Sequence, residues 1–266
     1  MAIYAKTNRD NKVDNRMSKK KQKFDLEGES KVVQHDFSNR KKFHPHDLVS
    51  FPSPTPRQER FFESYYAGTP ILGLLGYPGS GKSFAAIYAG LSSVFEPSDP
   101  IEKLVVVRSI EQSGPNTGAL PGEIDEKVAP FESTYIDLTR QMMNFNNPYK
   151  HLKALGNLEF MPTNFLRGVT FDNTVVVLEE AQNLDWDEIY TVVSRLGVNS
   201  RLVLTGDIRQ SDLQRRRRKG GLERLEQVLL NMPYGSSEII YMKLEDVVRS
   251  GVVRDFVISD FELSEQ

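Results

Sequence analysis

The chain contains no cysteine. That absence excludes disulfide frameworks, cysteine–zinc sites, iron–sulfur clusters and thiol nucleophiles, and it fits a reducing compartment; a cytoplasmic location is expected. No run approaches the ~18 apolar residues that cross a bilayer, and the N-terminus MAIYAKTNRDNK lacks the apolar core of a secretory signal, so no membrane partner is expected. There is no internal repeat, and no LSGGQ-like signature of the transporter ATPases. What is present is ordinary for a soluble globular chain: 266 residues, 39% hydrophobic and 26% charged, enough to bury a real core. The net charge of −2 conceals an uneven distribution, with 12 Lys/Arg against 7 Asp/Glu in residues 1–50 and 22 against 29 in the remainder. A basic head on a slightly acidic body hints at a polyanionic partner.

Residues 1–50 read as a basic, flexible tail, poor in apolar periodicity and carrying the run Lys19-Lys20-Lys21-Gln22-Lys23. Order is expected from about Phe51, giving one folded domain over 51–266. After Pro56, the aromatic residues Phe61, Phe62, Tyr65 and Tyr66 recur at helical spacing up to Gly68. From there, short apolar runs alternate with helical patterns. Strands are expected at 71–75, 104–107, 158–161, 175–178, 202–204 and 239–242. A helix over 83–95 carries Phe84, Ile87, Tyr88, Leu91 and Val94 on one stripe, and another opens at Asp185 with Glu188 as capping-box partner and ends near Gly197. The alternation implies α/β architecture with a parallel sheet.

Gly76-Tyr77-Pro78-Gly79-Ser80-Gly81-Lys82-Ser83 matches G-x-x-x-x-G-K-[ST] in full, between an expected strand and an expected helix. Glycines let backbone N–H groups curl around a phosphate at a helix N-terminus, Lys82 reaches the β- and γ-phosphates, and Ser83 ligates Mg²⁺. A second strand carrying carboxylates is then expected beside the first. Thr174-Val175-Val176-Val177-Leu178-Glu179-Glu180 fits, with Glu179 holding the metal through water and Glu180 orienting or deprotonating the attacking water. A neighbouring strand ends in Leu204-Thr205-Gly206-Asp207-Ile208-Arg209-Gln210, whose polar tip can sense a γ-phosphate. Two other signals are weaker. Asn11-Lys12-Val13-Asp14 spells a guanine-reading motif but has no apolar strand before it, and His44-Pro45-His46 has no third metal ligand nearby. The run Arg215-Arg216-Arg217-Arg218-Lys219 can grip a nucleic-acid backbone, or serve as a solvated turn or subunit contact. Tyr77, Phe165 and Phe171 are aromatic side chains that could stack on bases, although core packing is the default for each.

Taken in order, the glycine loop, RSIEQSGPNTGALPGEIDEK, NFLRGVTFDNTVVVLEEAQN, TGDIRQSDL and LEDVVRSGVV resemble the PhoH-like ATPases, a RecA-like P-loop family related to superfamily 1 helicases. The resemblance runs from about 55 to 255, and its most specific pieces include Leu120-Pro121-Gly122, Arg167-Gly168 and Asp246-Val247-Val248-Arg249. It implies a three-layer RecA-like domain with helices on both faces of the sheet, using ATP and Mg²⁺. It implies that Gln58 reads adenine, that Gln210 links the γ-phosphate to neighbouring strands, and that Arg249 is an arginine finger. The length leaves room for one RecA-like domain, so a finger supplied by a neighbouring subunit implies a homo-oligomer, a hexameric ring. Three departures stand out: Glu179 where Asp is usual, the basic run 215–219, and Ser250 where His often follows the arginine. Two roles stay open: ATP turnover coupled to remodelling of RNA or single-stranded DNA, or a nucleotide-gated oligomer with little motor activity.

Overall fold

The computed structural model describes residues 42–110, 124–207 and 221–264. Six strands form one sheet: β1 (Ile71–Gly76), β2 (Lys103–Arg108), β3 (Leu158–Pro162), β4 (Thr174–Leu178), β5 (Arg201–Gly206) and β6 (Ser237–Met242). The spatial order is β3-β2-β4-β5-β1-β6, and every pairing is parallel. All six expected strands are present, each extended by one to three residues. The helices around them are α1 (Pro56–Tyr66), α2 (Lys82–Phe95), α3 (Ile124–Met142), α4 (Pro148–Leu155), α5 (Trp186–Val193), α6 (Gly221–Leu230) and α7 (Val252–Ser264).

Side-chain alternation in the strands builds two separate cores. Leu72, Leu74, Leu104, Val106, Val175, Val177 and Val203 point to one face, where Phe61 and Tyr65 of α1, Ile87 and Leu91 of α2, Tyr135 of α3 and Leu152 of α4 cover them. Ile71, Leu75, Val105, Val107, Val176, Leu178, Leu202 and Leu204 point to the other face, under Ile189 and Val192 of α5 and Leu222, Leu225 and Leu229 of α6. With both faces covered, the strands are apolar throughout, as a buried parallel sheet requires. The three-layer α/β arrangement read from the sequence is therefore the observed one.

Four details differ from the sequence reading. First, β4 does not lie beside β1, because β5 separates them. The intervening strand places Thr205 against Glu179, with the threonine hydroxyl donating to the carboxylate at 3.1 Å. Second, packing begins before Phe51. Phe43 is only 7% exposed, its ring lying 5.3 Å from Phe95 and 5.1 Å from Phe145, and Val49 N donates to Met142 O. Third, Ile87 and Leu91 of the expected α2 stripe are buried, but the rest of the buried face is small, Ala85, Ala86, Ala89 and Gly90, while Phe84, Tyr88 and Val94 are only half-buried. A Cβ on Gly90 would fall 2.7 Å from Leu104 Cδ1, so the helix approaches the sheet closely because that face is nearly bare. Fourth, the α5 pattern ends at Val193, short of Gly197, although the expected capping box of Asp185 and Glu188 is formed.

Candidate nucleotide site

The C-terminal ends of β1, β4 and β5 converge on a cleft of about 650 Å³. An open parallel sheet offers its binding crevice at this edge. Gly76, at the end of β1, has φ 138°, and a Cβ there would lie 2.0 Å from the backbone carbonyl of Met242 on β6. Only glycine can turn the chain out of the sheet at that point. The loop is then braced from within: Ser80 Oγ donates to Tyr77 O at 2.8 Å, and Lys82 Nζ donates to Gly76 O at 2.8 Å and Tyr77 O at 2.7 Å. Pro78, Gly79, Gly81, Lys82 and Ser83 face the cleft, while Gly76, Tyr77 and Ser80 support the loop from behind. The Tyr77 ring meets Phe261 of α7 edge-on at 5.4 Å. Burial holds the Lys82 ammonium below its ordinary range, opposed by the nearby carboxylates of Asp207, Glu180 and Glu179.

Ser83 Oγ donates to Glu179 Oε2 at 2.7 Å, and Thr205 Oγ1 donates to the other carboxylate oxygen. Glu179 is buried behind Ser83, away from the cleft wall. Desolvation raises its carboxyl above the ordinary range, the hydroxyls of Ser83 and Thr205 pulling it back while Glu180 adds to the rise. Glu180 is on the wall. It has φ 55°; the other non-glycine residues with positive φ among those described, Asn147, Asn173 and Asn199, are all asparagines, which tolerate that region. A glutamate there carries strain of about 1–3 kcal/mol, and such strain concentrates at functional positions. Gln182 secures it: Nε2 donates to Glu180 Oε2, and Oε1 accepts from the Asp207 backbone N–H at 2.9 Å. The strands bearing Glu180 and Asp207 are thus joined by one buried amide. Sequence reading assigned Gln182 no role, because its position inside a motif says nothing about what its side chain bridges.

Gln58, 1% exposed on α1, lines the cleft beside the phosphate loop. Its backbone N–H is capped by Thr55 Oγ1, its Nε2 donates to Ser80 O at 2.9 Å, and its Oε1 has no hydrogen-bond partner among the described residues. Phe51, Pro54, Phe84 and Val248 also line the cleft, and Phe51 packs 4.6 Å from Phe84. Phe51, Pro54 and Phe84 had no site role in the sequence reading; they are ordinary apolar residues until the fold places them there. Arg249 also lies on the wall of its own chain's cleft, with its Cγ 2.8 Å from where a Cβ on Gly79 would stand. Thr134, Leu138 and Gln141 of α3 close the remaining side. Of the aromatic residues weighed for stacking, Phe171 is fully buried in the core and Phe165 is exposed. Gln210 and Arg215, Arg216, Arg217, Arg218 and Lys219 lie outside the described residues, as do Leu120-Pro121-Gly122 and residues 1–41.

A parallel sheet of this order, with a glycine loop wrapped between β1 and α2 and an acidic strand end two positions along, defines a P-loop nucleotide-binding protein of RecA-like architecture. The chain belongs to the PhoH-like protein family, whose model matches residues 52–259. It is 31% identical over 193 residues to the PhoH-like protein of Synechocystis, covering 72% of this chain and 56% of that one. It is 32% identical over 178 residues to protein PhoH of Escherichia coli K12, covering 66% and 49%. The chain thus spans about half the length of these curated relatives. A solved Walker-type ATPase of Pyrococcus abyssi is 17% identical with a TM-score of 0.30, covering 85% of this chain and 66% of that one. Among the described residues, no helix is long and apolar enough to cross a membrane.

Proposed function

We propose that this protein hydrolyses ATP with Mg²⁺. The observation that carries the reading is that Lys82, Ser83 and Glu180 line one cleft with Glu179 buried directly behind Ser83, Thr205 and Gln182 holding the two carboxylates at different depths. The donor set fits the cofactor: a hydroxyl and a carboxylate beside a phosphate loop suit a cation that keeps most of its coordination for water and phosphate. A Mg²⁺ ion held by Ser83 directly and by Glu179 through water would supply Lewis-acid polarisation of the phosphate oxygens. Lys82 releases its two loop carbonyls to neutralise phosphate charge, and the backbone N–H groups of the loop donate to the same oxygens. Glu180 accepts the proton of the attacking water, held on aim by Gln182. Arg249, standing in its own cleft, stabilises charge on the γ-phosphoryl group.

Gln58 selects the base in this reading. One N–H of its Nε2 is given to the Ser80 carbonyl, which fixes the orientation of the amide and leaves the unpartnered Oε1 as the acceptor a ligand would meet. An acceptor suits the exocyclic amine of adenine and opposes the carbonyl of guanine. Phe51 supplies an apolar wall for the ring.

The finer part of the proposal is that turnover is coupled to RNA or single-stranded DNA, with Arg215, Arg216, Arg217, Arg218 and Lys219 on the phosphates and Gln210 linking the γ-phosphate to that surface. The basic composition of that run supports it. A hexameric ring stays in the proposal as the assembly the family resemblance implies, although an arginine already on its own cleft removes the need for a neighbour's. The test is the steady-state ATPase rate with and without each polynucleotide, with Lys82→Ala as the blank. A Lys82-dependent rate raised several-fold by one polynucleotide is expected. A Lys82-dependent rate indifferent to both would favour a nucleotide-gated oligomer instead, and the absence of any Lys82-dependent rate would refute hydrolysis.

A further inference from the structure

Asp246 is a fully buried carboxylate with no part in the chemistry above. It closes a short 3-10 turn, Leu244–Asp246, immediately after β6. Its Oδ2 accepts from Lys243 N at 2.7 Å and from Arg57 Nη1 at 3.0 Å, while Oδ1 has no partner among the described residues. Arg57 comes from the first turn of α1, and it also pairs with the exposed Glu245. Capping a surface turn requires only a small neutral acceptor. A charge at 0% exposure is costly unless a specific partner compensates it, so the pair calls for a reason beyond the turn.

The residues on either side of the pair supply that reason. Two positions beyond Asp246, Val248 N donates to Gly79 O at 3.1 Å, and the next side chain, Arg249, lies across Gly79. One position beyond Arg57, Gln58 donates to Ser80 O at 2.9 Å. The phosphate loop is therefore gripped by two strips from opposite ends of the chain, and the Arg57–Asp246 pair is the ionic tie between them. Gly79 admits the Arg249 stem only because it has no side chain, so the strip has one seat and needs something to keep it there.

We propose that Asp246, tied to Arg57, is a positioning residue that seats the Val248–Arg249 strip on the phosphate loop and thereby sets where the Arg249 guanidinium stands. Its catalytic consequence rests on the reading of Arg249 as the cation for γ-phosphoryl charge, and the test keeps the two apart. Full-length wild type, Asp246→Asn, Arg57→Lys, Arg249→Ala and the double variant Asp246→Asn/Arg249→Ala are compared by hydrogen–deuterium exchange without nucleotide and by ATPase kinetics. Asp246→Asn should raise deuterium uptake in 244–250 and 76–81 by about threefold or more, with the β2–β4 core unchanged. It should lower kcat by about a hundredfold with little change in KM, as expected for a misplaced catalytic group. Because it acts through Arg249, it should slow the Arg249→Ala variant no further.

Unchanged uptake in Asp246→Asn overturns the proposal. So does a double variant slowed by the product of the single effects, which would mark a merely structural loss. Raised uptake in Asp246→Asn with Arg249→Ala at the wild-type rate supports the tie and overturns the reading of Arg249 instead. Arg57→Lys keeps the charge but loses the guanidinium geometry. It carries the same expectations at smaller amplitude should Asp246→Asn fail to fold.

Discussion

Lys82 and Glu180 face one cleft with opposite charge, so their removal should fail in different ways. Lys82→Ala loses the cation proposed to draw the phosphates in. Glu180→Gln keeps the size and the Gln182 contact but cannot accept a proton. We expect Glu180→Gln to bind ATP with near wild-type affinity and to turn over about 10²–10⁴-fold more slowly, read by equilibrium nucleotide binding alongside single-turnover kinetics. A wild-type rate in Glu180→Gln would remove it from the role of base. Gln58 gives a separate prediction about the ring. Its Nε2 is held by Ser80 O and its Oε1 is unpaired in a buried place, so Gln58→Ala removes an acceptor that discriminates by chemistry. The preference for ATP over GTP should fall by about tenfold, corresponding to one buried hydrogen bond of about 1–2 kcal/mol. Competition binding of the two nucleotides measures it, and an unchanged ratio would place base recognition elsewhere.

The packing of α1 on α2 gives a prediction that depends on no nucleotide. The Tyr65 phenol is fully buried and shares a hydrogen bond with Ser93 Oγ at 2.9 Å. Burial pushes it from 10.0 up to about 12. Between those values the unfolded chain gives up the proton and the folded chain keeps it, so stability is lost as pH rises through that window. The loss amounts to about 2–3 kcal/mol, and Tyr65→Phe should flatten that part of the alkaline slope when denaturant unfolding of the two proteins is compared across it. Equal slopes would mean that the phenol titrates alike in both states. Legibility in the sequence also divides at the level of elements. The phosphate loop, the six strands and the Asp185 cap were readable because local chemistry sets them: glycines before a lysine, apolar runs between turns, an acid three residues before its partner. The sheet order was not, since no local signal says that β5 slips between β1 and β4. Helix α3 was hidden by Pro130, which reads as a break yet lies inside the helix. In the α2 stripe Ile87 and Leu91 are buried as expected, but Phe84 and Tyr88 misled because hydrophobicity alone favours them, whereas closest packing on the sheet also selected alanine and glycine. Lys82, Ser83, Glu180 and Arg249 were legible as candidates from their motifs and do line one cleft, but the contacts of Gln182, Phe51 and Asp246 depend on neighbours distant in sequence.

For the whole molecule, the question is whether the nucleotide cleft communicates with a polyanion. β5 ends at Gly206 on the cleft edge, and Gly221 opens α6 against Leu184 and Asp185, which follow the acidic strand end. Both described ends that flank the basic run thus lie at the cleft edge of the sheet, where Asp207 is joined through Gln182 to Glu180. Polyanion binding by Arg215, Arg216, Arg217, Arg218 and Lys219 should then show two linked signatures. Affinity for a single strand should fall steeply with salt, and replacing all five by glutamine should flatten the log–log slope by up to about 3.5, at roughly 0.7 per phosphate neutralised. The same replacement should remove polynucleotide stimulation of ATP turnover while leaving the unstimulated rate intact, because the groups proposed to hold phosphate and metal, Lys82, Ser83 and Glu179, are untouched. Fluorescence anisotropy with a labelled oligonucleotide across a salt series, paired with ATPase assays, reads both signatures. A flattened slope with stimulation intact would make the run an anchor and put the coupling elsewhere; an unchanged slope would leave it a solvated turn and return the choice to nucleotide-gated assembly.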